Sequence, residues 1–247
     1  MTAVSQPWRL PDDDLTLSAR DVHVWRAPLS ASETRLADFH AILAADELAR
    51  AARFRNPLHG DQYTVGRGIL RILLGRYLNR QPQDIRFSCT HYGKPFIEDA
   101  SETLRFNLSH SQDLALYAFT HQREIGIDIE YLRPVSSRDQ IAEQFFSPNE
   151  IKALRNLPAN QQDIGFFNCW TRKEAYIKAH GEGLSLPLDQ FDVTLVPGEP
   201  AALLETRVAS DRADRWALHA LLPGANYRAA LAVEGHDWQL STWQWPG

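Results

Sequence analysis

The stretch Ile125-Gly126-Ile127-Asp128-Ile129-Glu130 alternates with a period of two. That is the period of a strand: Ile125, Ile127 and Ile129 project to one face, Asp128 and Glu130 to the other. Taken alone, this describes a half-buried strand with a solvated acidic face. Two neighbouring carboxylates also form half of a hard-cation site, since Mg²⁺ is commonly held by one or two carboxylates while phosphates and water complete its octahedron.

Upstream, residues 114–120 and Phe106-Asn107-Leu108-Ser109 carry the same strand signal. So does Ile85-Arg86-Phe87-Ser88, followed by a His91-Tyr92-Gly93-Lys94-Pro95 turn. Before Pro82 the pattern is helical. One helix is expected over residues 32–54 and a second over 62–79, where Ile69, Leu73 and Tyr77 recur beside Leu70, Leu74 and Leu78, a stripe broad enough to lie on a sheet.

Downstream, Ser147-Pro148-Asn149-Glu150 reads as a helix start, with Ser147 as cap, Pro148 at the first position and Glu150 closing a capping box. A major helix over 165–180 is stopped by Gly181 and Gly183. Residues 191–196, 216–222, 228–233 and 239–245 return to alternation. The fold class is α+β with mostly antiparallel pairing.

With 247 residues, 44% apolar and 23% charged, the chain has the composition of a soluble globular protein and is long enough to bury a sizeable core. Two cysteines in unrelated contexts, Cys89 and Cys169, supply neither a disulfide framework nor a thiol-rich metal site, and a reducing compartment is expected. Asp12-Asp13-Asp14 stands where a signal peptide would need a basic start, and no apolar run approaches about 18 residues. The expected location is the cytoplasm, with no membrane association. A net charge of -5 argues against nucleic-acid binding. The charge is nevertheless uneven: Arg50, Arg53, Arg55, Arg67, Arg71, Arg76, Arg80 and Arg86 are opposed over that span only by Asp61 and Asp84. This is either an anion-attracting field or a solvated helix face.

The segment Trp170-Thr171-Arg172-Lys173-Glu174-Ala175-Tyr176-Ile177-Lys178 lies near the end of the major helix, with Trp170, Glu174 and Lys178 on one face. A Glu-to-Lys pair at that spacing is common on surfaces. Here, however, the chain has only four lysines against 22 arginines, and two of the four fall in this segment. An ammonium acting as a point charge on phosphate accounts for that choice. In Phe106-Asn107-Leu108-Ser109-His110-Ser111, a hydroxyl and an imidazole at a strand end suit anion binding, and no G-x-S-x-G elbow is present to make them a hydrolase. Walker A, dinucleotide-type glycine and H-E-x-x-H motifs are also missing. What remains describes magnesium-assisted handling of a polyphosphate.

The ordered set Gly93-Lys94-Pro95, Asn107-Leu108-Ser109-His110-Ser111, Gly126-Ile127-Asp128-Ile129-Glu130, Phe145-Phe146-Ser147, the 170–178 segment and Gly181-Glu182-Gly183-Leu184-Ser185-Leu186-Pro187-Leu188 closely resembles the Sfp-type 4'-phosphopantetheinyl transferases, and most of all their cyanobacterial members. The resemblance implies two similar halves in a pseudo-twofold arrangement, near residues 1–120 and 121–247. Each half would pack a helix on a small antiparallel sheet, with coenzyme A in the cleft between them. It implies a transferase of the holo-[acyl-carrier-protein] synthase type, moving 4'-phosphopantetheine from coenzyme A to a serine of apo acyl or peptidyl carrier proteins and releasing adenosine 3',5'-bisphosphate.

By the same resemblance Asp128, Glu130 and Glu174 would be the Mg²⁺ ligands. Lys178, with Ser109 and His110, would hold phosphates beside Asn107, and the Gly93-Lys94-Pro95 turn would line the nucleotide end. Arg50 falls where a basic residue faces the 3'-phosphate, while Glu47 stands where another would be expected. Glu174, directly or through a metal-bound water, would take the serine proton, with Lys178 and His110 stabilising charge. Residues 131–146 would form the lip that meets the carrier, with Phe145 and Phe146 either contacting it or belonging to the core. Both sides of the cleft on one chain imply a monomer. A magnesium-dependent phosphohydrolase acting on coenzyme A, and a noncatalytic coenzyme A or carrier-binding module, are the alternatives. Intact Asp128, Glu130, Glu174 and Lys178 argue against the second.

Overall fold

The computed structural model describes residues 7–12, 15–99, 103–181, 183–209 and 211–246. Asp13, Asp14 and Glu182, named above, lie outside the described residues, as does the side chain of Leu184. The first half of the chain runs β1 (Asp21–Pro28), α1 (Glu33–Ile42), α2 (Ala45–Ala51), α3 (Pro57–Leu78), β2 (Phe87–Cys89), β3 (Pro95–Ile97), β4 (Leu104–Ser111) and β5 (Leu114–His121). It continues as β6 (Ile125–Tyr131), α4 (Arg138–Phe145), α5 (Pro148–Arg155), α6 (Ala159–His180), β7 (Phe191–Val193), β8 (Leu203–Thr206), β9 (Trp216–Leu221), β10 (Tyr227–Glu234) and β11 (Gln239–Gln244).

The fold is α+β. Among the described residues, one sheet has the order β11-β1-β5-β4, a second β6-β10-β9, and two short hairpins pair β2 with β3 and β7 with β8. All pairings are antiparallel except β1 with β11, which brings the last strand back to the first sheet.

Strand alternation sorts the core into three layers. Trp25, Ala27, Tyr117 and Phe119 face α3, where Val65, Ile69, Leu70 and Leu73 meet them. The opposite face of the same strands, Val22, Val24, Leu116 and Ala118, packs on Ile125, Ile127, Ile129, Leu231 and Val233 of the second sheet. Ala230 and Ala232 then turn outward to Cys169, Tyr176 and Ile177 of α6. The two sheets are thus sandwiched between their helices.

Local signals explain the element ends. Asn56 accepts the Leu58 N–H with Pro57 at the first helical position of α3. Ser147 and Glu150 close the expected capping box at α5, and α6 ends on Gly181 at φ 76°. The helix expected over 32–54 is two helices: Leu43 and Ala44 are extended, and Glu47 accepts the Ala44 N–H to start α2. Strand β1 and helix α4 had no expectation attached to them.

Gly126 decides how closely α6 lies on β6. A Cβ there would stand 2.0 Å from the Ala175 carbonyl oxygen and 2.3 Å from the Ala179 nitrogen, backbone atoms that cannot step aside. Gly126→Ala is therefore expected to lower unfolding stability by about 2–3 kcal/mol, measured by urea denaturation. An unchanged midpoint would mean that α6 does not sit in this contact.

Candidate active site

Strands β4 and β6 are edge strands of their sheets and lie side by side. Side chains of β4 join them. Asn107 Oδ1 accepts the Ile127 N–H at 2.9 Å, and Ser111 Oγ accepts the Tyr131 N–H at 3.1 Å. Between them, Ser109 Oγ donates to Asp128 Oδ1 at 2.9 Å, and Ser111 Oγ donates to Glu130 Oε2 at 3.0 Å. The polar period of two on β4 is thus matched, residue for residue, to that on β6.

Helix α6 brings Glu174 and Lys178 to this seam, one turn apart. Lys178 Nζ donates to Asp128 Oδ1 at 2.6 Å and to Ser109 Oγ at 3.0 Å. Leu108, Ser109, His110, Asp128, Ile129, Glu130, Trp170, Glu174 and Lys178 line one cavity of about 400 Å³. Trp170 forms its apolar wall, stacked on Phe166 and edge-on to Phe145.

The electrostatics of the cavity are those of crowded, partly desolvated acid groups. Burial raises the Asp128 carboxyl above its ordinary value against the opposing pull of Lys178. Glu130 is raised by burial and then by the charge of Asp128. Burial, with Asp128 second, pushes Glu174 up to about 6, although Lys178 works against it. The His110 imidazole is held below its usual range by burial and by Lys178.

Asp128 Oδ2 is buried without a hydrogen-bond partner. An orphaned carboxylate oxygen beside two more carboxylates is the donor chemistry of a hard cation, so the residues present fit Mg²⁺. Among the described residues, no three His, Cys, Asp or Glu side chains are already drawn together as an ion cage.

The other residues singled out in the sequence lie elsewhere. Asn107 sits buried beneath the cavity as an edge cap of β6. Gly93 and Pro95 flank the β2–β3 turn, and Lys94 points from it to the end of α6. Arg50 is exposed in the last turn of α2, over the ring of Tyr63. The structure corrects one reading and narrows two. Lys173 is a core ion pair, 0% exposed, with Glu150 at 2.8 Å and the Leu188 and Phe191 carbonyls at 2.7 Å, so lysine scarcity did not mark a ligand contact there. Phe146 is buried against Phe166 and belongs to the core. The basic run is partly spent internally: Glu47, itself buried, holds both Arg67 and Arg71. Sequence reasoning missed Ser111 as the partner of Glu130, although it continues the alternation of Asn107 and Ser109.

Carboxylates, an ammonium and a hydroxyl-bearing strand around one cleft are the side-chain types that phosphate chemistry assisted by a cation uses. Comparison with known proteins narrows that class. The 4'-phosphopantetheinyl transferase superfamily model matches residues 124–232, and the 4'-phosphopantetheinyl transferase N-terminal model matches residues 27–122. The 4'-phosphopantetheinyl transferase HetI of Nostoc sp. PCC 7120 is 45% identical over 240 residues, covering 96% of this chain and 98% of its own. A putative 4'-phosphopantetheinyl transferase of Synechocystis sp. PCC 6803 is 31% identical over 79% of this chain and 77% of its own. Sfp of Bacillus subtilis, also a 4'-phosphopantetheinyl transferase, is 37% identical over 68% and 72%. The chain belongs to the 4'-phosphopantetheinyl transferase family and is an enzyme of that class. Among the described residues, no helix is long and apolar enough to cross a membrane.

The Glu174 shift carries a stability consequence. Its folded pKa lies above its ordinary value, so the stability tied to the protonated form is full below about pH 4.5 and is lost as pH rises through about 6. Glu174→Gln cannot ionise. In chelator, it is expected to unfold about 1 kcal/mol later than the parent near pH 7 and together with it near pH 4, as read by urea denaturation at both pH values.

Proposed function

We propose that this enzyme transfers the 4'-phosphopantetheine of coenzyme A to a serine of apo acyl or peptidyl carrier proteins, with Mg²⁺, releasing adenosine 3',5'-bisphosphate. The observation that carries the reading is the buried, partnerless Asp128 Oδ2, on a residue that lines one cavity with Lys178, Glu130 and Glu174. Asp128, Glu130 and Glu174 would hold the ion, which would supply neutralisation of charge on the coenzyme A pyrophosphate.

The chain's own groups do the rest. Lys178 exchanges its contact with Asp128 for a phosphate oxygen, and Ser109 with His110 receives the neighbouring oxygens. The serine oxygen forms a bond to the β-phosphorus as the bond from that phosphorus to the bridging oxygen breaks, and Glu174 takes the serine proton. A carboxylate lifted toward neutrality is well suited to that transfer. The backbone of the Gly93-Lys94-Pro95 turn lines the nucleotide end and Arg50 faces the 3'-phosphate.

The two sides of the cleft belong to two similar halves, residues 1–120 and 121–247, with β11 returned to the first sheet. Both sides on one chain support a functional monomer, and two free cysteines support a cytoplasmic setting. Residues 131–146 form the carrier lip, where half-buried Phe145 is the apolar contact and Arg138 is turned inward to Asp163 and Gln162.

Incubation with coenzyme A, Mg²⁺ and a panel of apo carriers, read by intact-carrier mass, is expected to show one added phosphopantetheine and none in chelator. Glu174→Gln is expected to lower turnover by about 100-fold or more. Coenzyme A consumed with no carrier gaining mass would overturn the proposal in favour of hydrolysis.

A further inference from the structure

Lys94 leaves the β2–β3 turn and ends at a point where the two parts of the site meet. An ammonium has three N–H donors. All are taken: Nζ lies 2.9 Å from the Ala179 carbonyl oxygen, 3.2 Å from the Ile125 carbonyl oxygen and 3.2 Å from Glu124 Oε2. Ala179 follows Lys178 in the last turn of α6, and Ile125 opens β6 three residues before Asp128.

The last carbonyls of a helix lack intrahelical partners and form the negative end of its dipole, so a cation there satisfies both needs. The glycines around Lys94 fit the same contact. Gly93 turns the hairpin at φ 86°, and a Cβ on Gly181 would lie 3.0 Å from Lys94 Cδ, because the lysine stem runs across the helix end.

From this geometry we infer that the Lys94 ammonium is a positioning group for the reaction: it clamps the end of α6 to the start of β6 and so holds Glu174 and Lys178 at their working distance from Asp128 and Glu130. No N–H is left to donate to coenzyme A, and the turn meets that ligand through its backbone alone. The link to turnover rests on the function proposed above; the clamp itself does not.

The test uses the full chain and Lys94→Met. In ligand-free protein, hydrogen exchange read by mass spectrometry is expected to quicken by about tenfold or more over residues 174–181, with the α3 amides unchanged. In transfer assays, kcat falls by about tenfold while KM for coenzyme A stays within about twofold, since displacing a catalytic group acts on the transition state more than on binding. Glu124→Gln, which leaves both carbonyl contacts intact, stays near the parent in both readouts.

Should the methionine variant not fold, Lys94→Arg carries the same test. Arginine is longer and its donors lie in one plane, so they do not reproduce the three directions in which the ammonium reaches Ala179, Ile125 and Glu124, and the α6 end again exchanges several-fold faster at an unchanged KM. Unaltered exchange over 174–181, or a tenfold rise in KM for coenzyme A at constant kcat, would overturn the clamp and make Lys94 a ligand contact. A parent enzyme that modifies no carrier would remove the proposed function while the exchange measurement still decides Lys94.

Discussion

Two sheet edges meet in this protein without a backbone ladder, and every feature of the site depends on how that seam is closed. An edge strand presents unpaired N–H groups that must find acceptors. On β6 the Ile127 and Tyr131 amides find them in Asn107 and Ser111, side chains of the facing edge β4. The intervening Ser109 and the hydroxyl of Ser111 have donors to spare, and these go to Asp128 and Glu130. Register, strand spacing and carboxylate orientation thus come from one alternating run. A slip by one residue would send all these polar groups into apolar layers.

Helix α6 adds the third side, and its position is constrained from two directions. Gly126 lets the helix backbone approach β6 more closely than any other residue would allow. Tyr176 and His180, on the opposite side of the helix from the cleft, bond Asp211 at the far wall, which also receives the Trp216 indole. A helix held on both faces presents Glu174 and Lys178 with little rotational freedom. Electrostatic stabilisation of a developing charge needs this property, because groups already oriented do not have to reorganise during the reaction.

The parts legible in the sequence were those governed by local period and chain punctuation. Alternation exposed β4, β5, β6 and the last strands, while Ser147, Pro148, Glu150 and Gly181 marked helix ends because capping is a contact between near neighbours. The split at Leu43 and Ala44 was hidden, since alanine-rich flanks favour continuing the helix and the break is made by the distant pull of Arg67 and Arg71 on Glu47. Strand β1 carries Trp25 and Arg26 in a run with no clear alternation, and its pairing with β5 and β11 spans most of the chain. Among the candidate residues, the carboxylates of β6 and the Glu174–Lys178 pair were readable from periods of two and four. The direction taken by Lys94 and the burial of Lys173 depend on what packs around them.

Lys173 and Lys178 show how satisfaction, more than burial, separates a closed charge cluster from an open one. Lys173 and Glu150 are almost fully buried, yet their bonding capacity is used: Glu150 accepts the Ser147 and Val193 amides, and Lys173 reaches two carbonyls and the carboxylate. The group around Glu47 is similarly closed by the Ala44 amide and two arginines. Breaking either would leave an uncompensated charge, and nothing would be gained by admitting a ligand. Around Lys178 the balance differs. One ammonium stands among Asp128, Glu130 and Glu174, one carboxylate oxygen is buried with no partner, and burial raises the pKa of all three acids. Such an excess of desolvated acid opposes folding and is relieved by a bound cation. The residue types at the three clusters are alike, and the unclosed one lines a cavity.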